Sequence, residues 1–388
     1  MKSFFRSIHL YLGLAAGLVI MLTCFTGAVL IFEKELEQAF HPQRYQVKAG
    51  PQRLSLEILA KKVKKAVPDA KISGFKVYGN PNRSVEVSYG IKDKQQGGKK
   101  LAEIEKGKEK ERNKKEDEKE KVGKRKIAFV NPYTGAVLDL YAYNDTFFYQ
   151  MFALHRWLLG GDLGKLIVGV STLFFVFILI TGFILWWPKT RSVLKQRLLV
   201  KWDSNWKRLN NDLHIVLGFY SSIFLFVFAF TGLAWSFDWF NKGIYTVTRS
   251  EMKEPKQVES VYVAEKDKIG ADAVLLVLNK ELADIQSFQV NLPKDSVGTY
   301  TVNILPNGVF EMQGTTYWVD AYSATVLDSQ SFEQKNLGQR VRSSFKPIHT
   351  ASIFGLSSKI IGLIACLLGV IFPITGFIMW RNRVAKKN

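Results

Sequence analysis

Four long apolar runs constrain this 388-residue chain more than any other feature. They extend from Ile8 to Phe32, Leu163 to Trp187, Leu213 to Phe237 and Ile353 to Trp380. Each exceeds the ~18–20 residues that identify a membrane-spanning helix. The expected fold class is therefore membrane α-helical, a four-helix transmembrane bundle. The first run begins near the N-terminus, but it is too long for a signal-peptide core and no A-x-A-like site follows. It reads as a retained anchor.

Charge sets the expected orientation. The formal balance is +20, with 54 Lys+Arg against 34 Asp+Glu. Much of the excess flanks the apolar runs, where it orients a membrane protein; no nucleic-acid partner is expected. Lys2 and Arg6 precede the first run, seven Lys and Arg from Lys189 to Arg208 fill the loop 188–212, and Arg381, Arg383, Lys386 and Lys387 occupy the tail 381–388. These short basic segments predict cytoplasmic N- and C-termini. The long segments 33–150 and 238–345 are then outside. The spans are predicted at 8–32, 151–187, 213–237 and 346–380, the second and fourth including a histidine-bearing approach.

Each long segment reads as a small α+β domain. In the first, Leu56, Leu59, Ala60, Val63 and Val67 recur at helical spacing and Pro68 ends the helix. Alternating strands follow over 71–78, 84–89, after Lys126 and over 136–141. In the second, a helix over about 264–283 precedes strands near 285–292, 298–304, 315–320 and 324–329. Asn131-Pro-Tyr-Thr-Gly-Ala-Val-Leu-Asp139 closely matches Asp320-Ala-Tyr-Ser-Ala-Thr-Val-Leu-Asp328. The chain is thus read as a tandem duplication of helix, outer domain, helix. The stretch 92–126 is Lys/Glu-rich with almost no apolar residues, and a disordered insert is expected there.

Four histidines recur with the repeat. His9 lies 17 residues before Thr26 (26 − 9) and His214 lies 17 before Thr231 (231 − 214). His155 lies 26 residues before Thr181 (181 − 155) and His349 lies 26 before Thr375 (375 − 349). Gly13, Ala16 and Gly17 share the helix face of His9, and Gly218, Ser221 and Ser222 that of His214. A flat macrocycle between two helices needs such clearance, and neutral imidazole is a standard axial ligand of haem iron. The alternative is close helix packing through small residues with an interfacial histidine hydrogen bond. His155 and His349, at the outer ends of their runs, form the second candidate pair. Ionisable residues at membrane depth are costly and usually functional, although interfacial anchoring also fits. Arg6 and Arg156 are candidates to pair with haem propionates, or serve as orientation charges. Lys165 and Lys359 are read as snorkelling, His41 as a surface residue, and Cys24 and Cys366 as small buried hydrophobes. The sequence carries no dinucleotide fingerprint, Walker loop, HExxH or hydrolase order.

His9-Leu-Tyr-Leu-Gly13, Phe25-Thr-Gly27, Leu154-His-Arg-Trp157, Thr181-Gly-Phe-Ile-Leu-Trp-Trp187 and Thr375-Gly-Phe-Ile-Met-Trp380 resemble the PepSY-associated transmembrane family. Within that family the chain looks like the iron-regulated inner-membrane ferric-siderophore reductases. That resemblance implies PepSY-like outer domains and two haem b groups, one held by His9 and His214, the other by His155 and His349. It further implies a bacterial inner-membrane location, periplasmic outer domains and electron delivery to a ferric siderophore in the periplasm; with no flavin or nicotinamide site in the sequence, the electrons are expected from a quinol or a cytoplasmic reductase. Two other readings stay open: a membrane-anchored binding module for a peptide or protease, and a siderophore transport component.

Overall fold

The computed structural model describes residues 2–91, 126–253 and 256–385. In chain order the helices are α1 (Lys2–Ile31), α2 (Glu33–Phe40), α3 (Pro42–Tyr45), α4 (Leu56–Ala66), α5 (Phe147–Trp157) and α6 (Gly161–Trp186). They continue with α7 (Arg191–Leu198), α8 (Trp206–Ser236), α9 (Asp238–Val247), α10 (Ala271–Val277), α11 (Leu337–His349) and α12 (Gly355–Val384). The strands are β1 (Ala70–Tyr78), β2 (Val85–Ile91), β3 (Lys126–Val130), β4 (Val137–Ala142), β5 (Ile285–Asn291), β6 (Tyr300–Pro306), β7 (Thr315–Val319) and β8 (Val326–Gln330). Two compact units result. One draws on the described residues of Met1–Glu33, Phe147–Met252 and Asn336–Asn388, the other on those of Lys34–Thr146 and Lys253–Lys335.

The first unit is helical. Among the described residues, α1, α6, α8 and α12 are long and apolar enough to cross a membrane. At 1.5 Å per residue a 30-residue helix is about 45 Å long, more than the ~30 Å hydrocarbon core requires. α1 packs against α6 and α12, and α8 packs against the same two. The four close into a ring in which α1 and α8 lie on one diagonal. Small residues let α1 and α12 approach: a Cβ on Gly17 would sit 3.3 Å from Pro373, and one on Gly369 would sit 2.6 Å from the Cys24 sulfur. Both cysteines are buried and unbridged.

Helix limits depart from the hydropathy limits for local reasons. α8 begins seven residues before Leu213 (213 − 206), because Asn205 caps it by accepting from the Arg208 N–H and Arg208 pairs with Asp212 at 2.8 Å one turn on. The histidine-bearing approaches are separate helices, α5 and α11. Gly161 and Gly355, each six residues after its histidine (161 − 155; 355 − 349), have φ of 57° and 63°. That left-handed conformation turns the chain into the following span and favours glycine. α11 extends to His349 with Pro347 inside it, so the proline does not make this stretch irregular.

The second unit is an antiparallel sheet with helices on one face. The strand order is β4-β3-β2-β1-β5-β6-β7-β8. β1 and β5 join at its centre, with Phe75 opposite Val290 and Val77 opposite Phe288. The two long segments, expected as two domains, therefore share one sheet. Backbone pairing at β1 and β5 satisfies edges that separate domains would leave open. One core joins them as well: Leu59 and Val63 of α4, Val274 of α10, and Val87, Val130, Val290, Val302 and Val319 of the strands. α4 and α10 cap one another. Asp272 accepts from the Leu56 and Glu57 N–H groups at 2.8 and 3.3 Å, and Glu57 accepts from the Asp272 N–H at 2.9 Å.

The helix expected over 264–283 is corrected to α10 followed by a 3₁₀ turn, Asn279–Leu282. Glu265 has φ of 60° and Gly270 is extended, which excludes a helix before Ala271. Lys92 to Arg125 of the expected disordered insert lie outside the described residues; Lys126 opens β3. The matched nonapeptides form equivalent turns. Asn131 Oδ1 accepts from the Tyr133 and Thr134 N–H groups at 2.9 and 3.3 Å, and Asp320 Oδ1 from the Tyr322 and Ser323 N–H groups at 2.9 and 2.7 Å.

Two predictions follow from these caps and turns. Asp272→Ala strips the first turn of α4 of its acceptor and costs about 1–2 kcal/mol, read as a lower thermal midpoint of the detergent-solubilised chain. Burial raises the Asp320 carboxyl, but the Tyr322 and Ser323 N–H groups, the Ser323 hydroxyl and the Val261 N–H outweigh it and hold the group below its ordinary value. That stabilisation is complete above about pH 4, the unfolded Asp value, and is lost as pH falls through the lower folded value. Asp320→Asn removes this acid dependence, measured as thermal midpoint between pH 3 and 6.

Candidate functional site

The bundle brings the four histidines together as two pairs. His9 on α1 and His214 on α8 face across the diagonal with ring centroids 6.2 Å apart. His155 on α5 and His349 on α11 stand 6.0 Å apart. The pairs are the ones the repeat predicts. They occupy opposite ends of the bundle: His155 rests on Gly27, 18 residues along α1 from His9 (27 − 9), a distance of about 27 Å.

Each imidazole is held the same way, on a Thr-Gly step of a neighbouring helix. His9 Nδ1 lies 3.1 Å from Thr181 Oγ1 and 3.1 Å from the Ile178 carbonyl. His155 Nδ1 lies 3.2 Å from Thr26 Oγ1 and 2.9 Å from the Thr23 carbonyl. His214 Nδ1 lies 2.9 Å from Thr375 Oγ1. His349 Nδ1 lies 3.1 Å from Thr231 Oγ1 and 2.9 Å from the Phe228 carbonyl. The following glycine makes room for each ring. A Cβ on Gly182, Gly27, Gly376 or Gly232 would stand 3.2–3.3 Å from the Cε1 of His9, His155, His214 or His349 respectively.

These contacts assign the tautomer. Each threonine hydroxyl lies 2.7–3.1 Å from the carbonyls three and four residues before it and donates there. Its oxygen is then left to accept, and a carbonyl can only accept. Nδ1 must carry the proton in every ring, so Nε2 presents its lone pair. Among the described residues no protein group bonds any of the four Nε2 atoms.

His9 and His214, named the inner pair after the side on which the charge pattern is expected to put them, line a cavity of about 530 Å³, within the range of small-molecule sites. Gly13, Gly182, Gly218 and Gly376 line it with the two histidines. Nothing lies within 4 Å of a Cβ built on Gly13, and Phe372 is 3.9 Å from one on Gly218, so these glycines leave open space. Trp186 and Phe219 stack in its wall with centroids 3.7 Å apart. Lys2, Arg6, Arg197 and Arg383 line its basic end. Arg6 is thus at the inner site, whereas Arg156 is at the outer end, donating to the Trp235 carbonyl at 2.7 Å. His41 belongs to the sheet unit, directly before α3.

The family described as PepSY-associated TM region matches residues 6–383. The chain belongs to that family. No curated protein matches it. The match spans both units of this PepSY-associated chain and both histidine pairs.

The sequence marks the Thr-Gly steps only as fixed distances from the histidines. It does not disclose that each step holds the histidine of a different helix: Thr181 follows His155 in the chain but holds His9. Trp235 and Arg342, beside His349, are likewise without a sequence signal. Thr231→Val, nearly isosteric, removes one Nδ1 acceptor and costs about 1 kcal/mol. Gly232→Val forces the His349 ring aside and costs about 1–3 kcal/mol. The thermal midpoints are expected to rank wild type, Thr231→Val, Gly232→Val.

Proposed function

We propose that this chain is a di-haem b reductase of the bacterial inner membrane, built by tandem duplication, that reduces ferric siderophores in the periplasm. The observation that carries the reading is the two imidazole pairs at 6.2 and 6.0 Å with Nδ1 tethered and Nε2 free. Two metal–imidazole bonds of about 2 Å plus the half-width of each ring amount to about 6 Å between centroids. Among the described residues no cluster of three or more His, Cys, Asp or Glu could hold a metal ion. Each pair therefore offers two nitrogen donors and would suit a metal that brings the rest of its ligands with it. The residues present fit haem.

A haem iron held there would supply a one-electron couple whose potential depends on ligands, burial and hydrogen bonds. The chain's own residues do the rest. The Nδ1 tethers fix ring orientation and make Nε2 more basic, as such outer partners do for metal-bound histidine. Gly13 and Gly218 give clearance beside the inner pair, and the Trp186–Phe219 stack walls it with apolar surface. Arg6 at the inner end and Arg156 at the outer are placed to pair with carboxylates. The overall reaction takes one electron from a quinol or a cytoplasmic reductase and converts one chelated ferric ion to ferrous, which siderophores hold poorly. Basic short segments support cytoplasmic termini and a periplasmic sheet unit.

Absorption spectra of the purified full-length chain, before and after dithionite, test this with haem counted per chain. Two six-coordinate b-type haems are expected. His9→Ala or His214→Ala should remove one, His155→Ala or His349→Ala the other, and each should abolish ferric-siderophore reduction. A colourless protein, from cells that load a control cytochrome, would overturn the reading in favour of an anchored binding module.

A further inference from the structure

The outer histidine pair has a neighbour that the inner pair lacks. Trp235 lies 5.3 Å from the His349 ring. The Arg342 guanidinium sits over the same indole, 4.8 Å from its centroid, and its Nε donates to Asn241 Oδ1 at 2.8 Å. Arg156 Nη2 donates to the Trp235 carbonyl at 2.7 Å. One tryptophan is thus held by two arginines, through its backbone and through its ring face. At the position that the repeat makes equivalent to Trp235 the chain has Leu30 (235 − 231 = 30 − 26), so this arrangement belongs to one half alone.

Among the described residues the two cations have no anion. No Asp or Glu among the described residues lies within ion-pair distance of either guanidinium. Both side chains are half-buried, and their protein partners are neutral oxygens and aromatic rings. Arg156 lies close enough to Arg342 to feel its charge. Two like charges drawn out of water beside one another without a counter-ion are unfavourable. Each guanidinium carries five N–H donors in a rigid fork, one of which is used in each case, and that fork matches the two oxygens of a carboxylate.

We propose that Arg156 and Arg342 form a carboxylate clamp beside the outer histidine pair, with the Trp235 ring as its floor. The carboxylate has two possible carriers with the same chemistry: a macrocycle held at His155 and His349, or a soluble acceptor reaching that end of the bundle. The clamp deepens the reductase reading and rests on it for the first carrier, while binding of a free carboxylate does not depend on it.

The test uses the full-length chain in detergent with Arg342→Gln, Arg156→Gln, the double variant, and the double lysine variant, which keeps charge but loses the fork. Iron-free citrate is titrated, and tryptophan fluorescence of wild type is compared with that of Trp235→Phe. If the carrier is a soluble acceptor, wild type gives a saturable signal that is absent in Trp235→Phe. Affinity then falls about tenfold or more in the double glutamine variant and is not rescued by lysine. If the carrier is the macrocycle, haem-loaded wild type ignores citrate, and the double variant shifts the midpoint potential of one haem while leaving the other unchanged. A double variant with native helix content, no loss of citrate response and unmoved potentials would overturn the clamp. Should wild type prove to contain no haem, the reductase reading falls, and the citrate titration alone decides: no response then overturns the clamp too.

Discussion

Everything at the two histidine pairs depends on a bond made on the far side of each ring. An imidazole free to rotate or change tautomer would offer its partner a lone pair or a proton without preference. Here the threonine hydroxyl is committed to its own helix, so the Nδ1 proton has oxygen acceptors and nowhere else to go. The glycine that follows lets the ring lie close against the helix and brings Nδ1 within reach of the carbonyl. The two residues act together: the hydroxyl orients, and the missing side chain provides the space.

Helix packing repeats this device four times. Because α1 and α8 each touch α6 and α12, every ring borrows its support from an adjacent helix while facing its partner across the bundle. α1 carries the inner histidine His9 at one end and the Thr26-Gly27 step for the outer histidine His155 at the other. Slippage of α1 against α6 would disturb the His9 contact, and slippage against α5 the His155 contact. Small residues at Gly17 and Gly369 set how closely α1 approaches α12. The same closeness that lets a membrane bundle pack without a hydrophobic drive between helices also aligns the rings.

The two ends are not alike. The inner end combines a cavity, glycine clearance and a basic rim. The outer end places Trp235 against one histidine and two guanidiniums on that tryptophan, with no carboxylate partner among the described residues. In the sheet unit, the paired edges of β1 and β5 and the reciprocal caps of Glu57 and Asp272 turn two similar segments into one body.

Much of this was legible in the sequence. Hydropathy located the four spans, because twenty consecutive apolar side chains have few soluble alternatives. Matched spacings grouped the histidines into the pairs that meet, and alternation placed most strands within two residues. Local periodicity could not reveal that the expected helix at 264 fails, since a left-handed Glu265 is a backbone outcome rather than a pattern. Nor could it show that two α+β segments share one sheet, because strand pairing across about 200 residues leaves no local trace. The sequence determined which residues can carry chemistry, through their type and their depth along each helix. Tertiary structure alone decided which threonine holds which histidine and where Arg342 meets Trp235. Those contacts arise between different helices, from the order in which the bundle closes, and no single stretch of chain encodes that order.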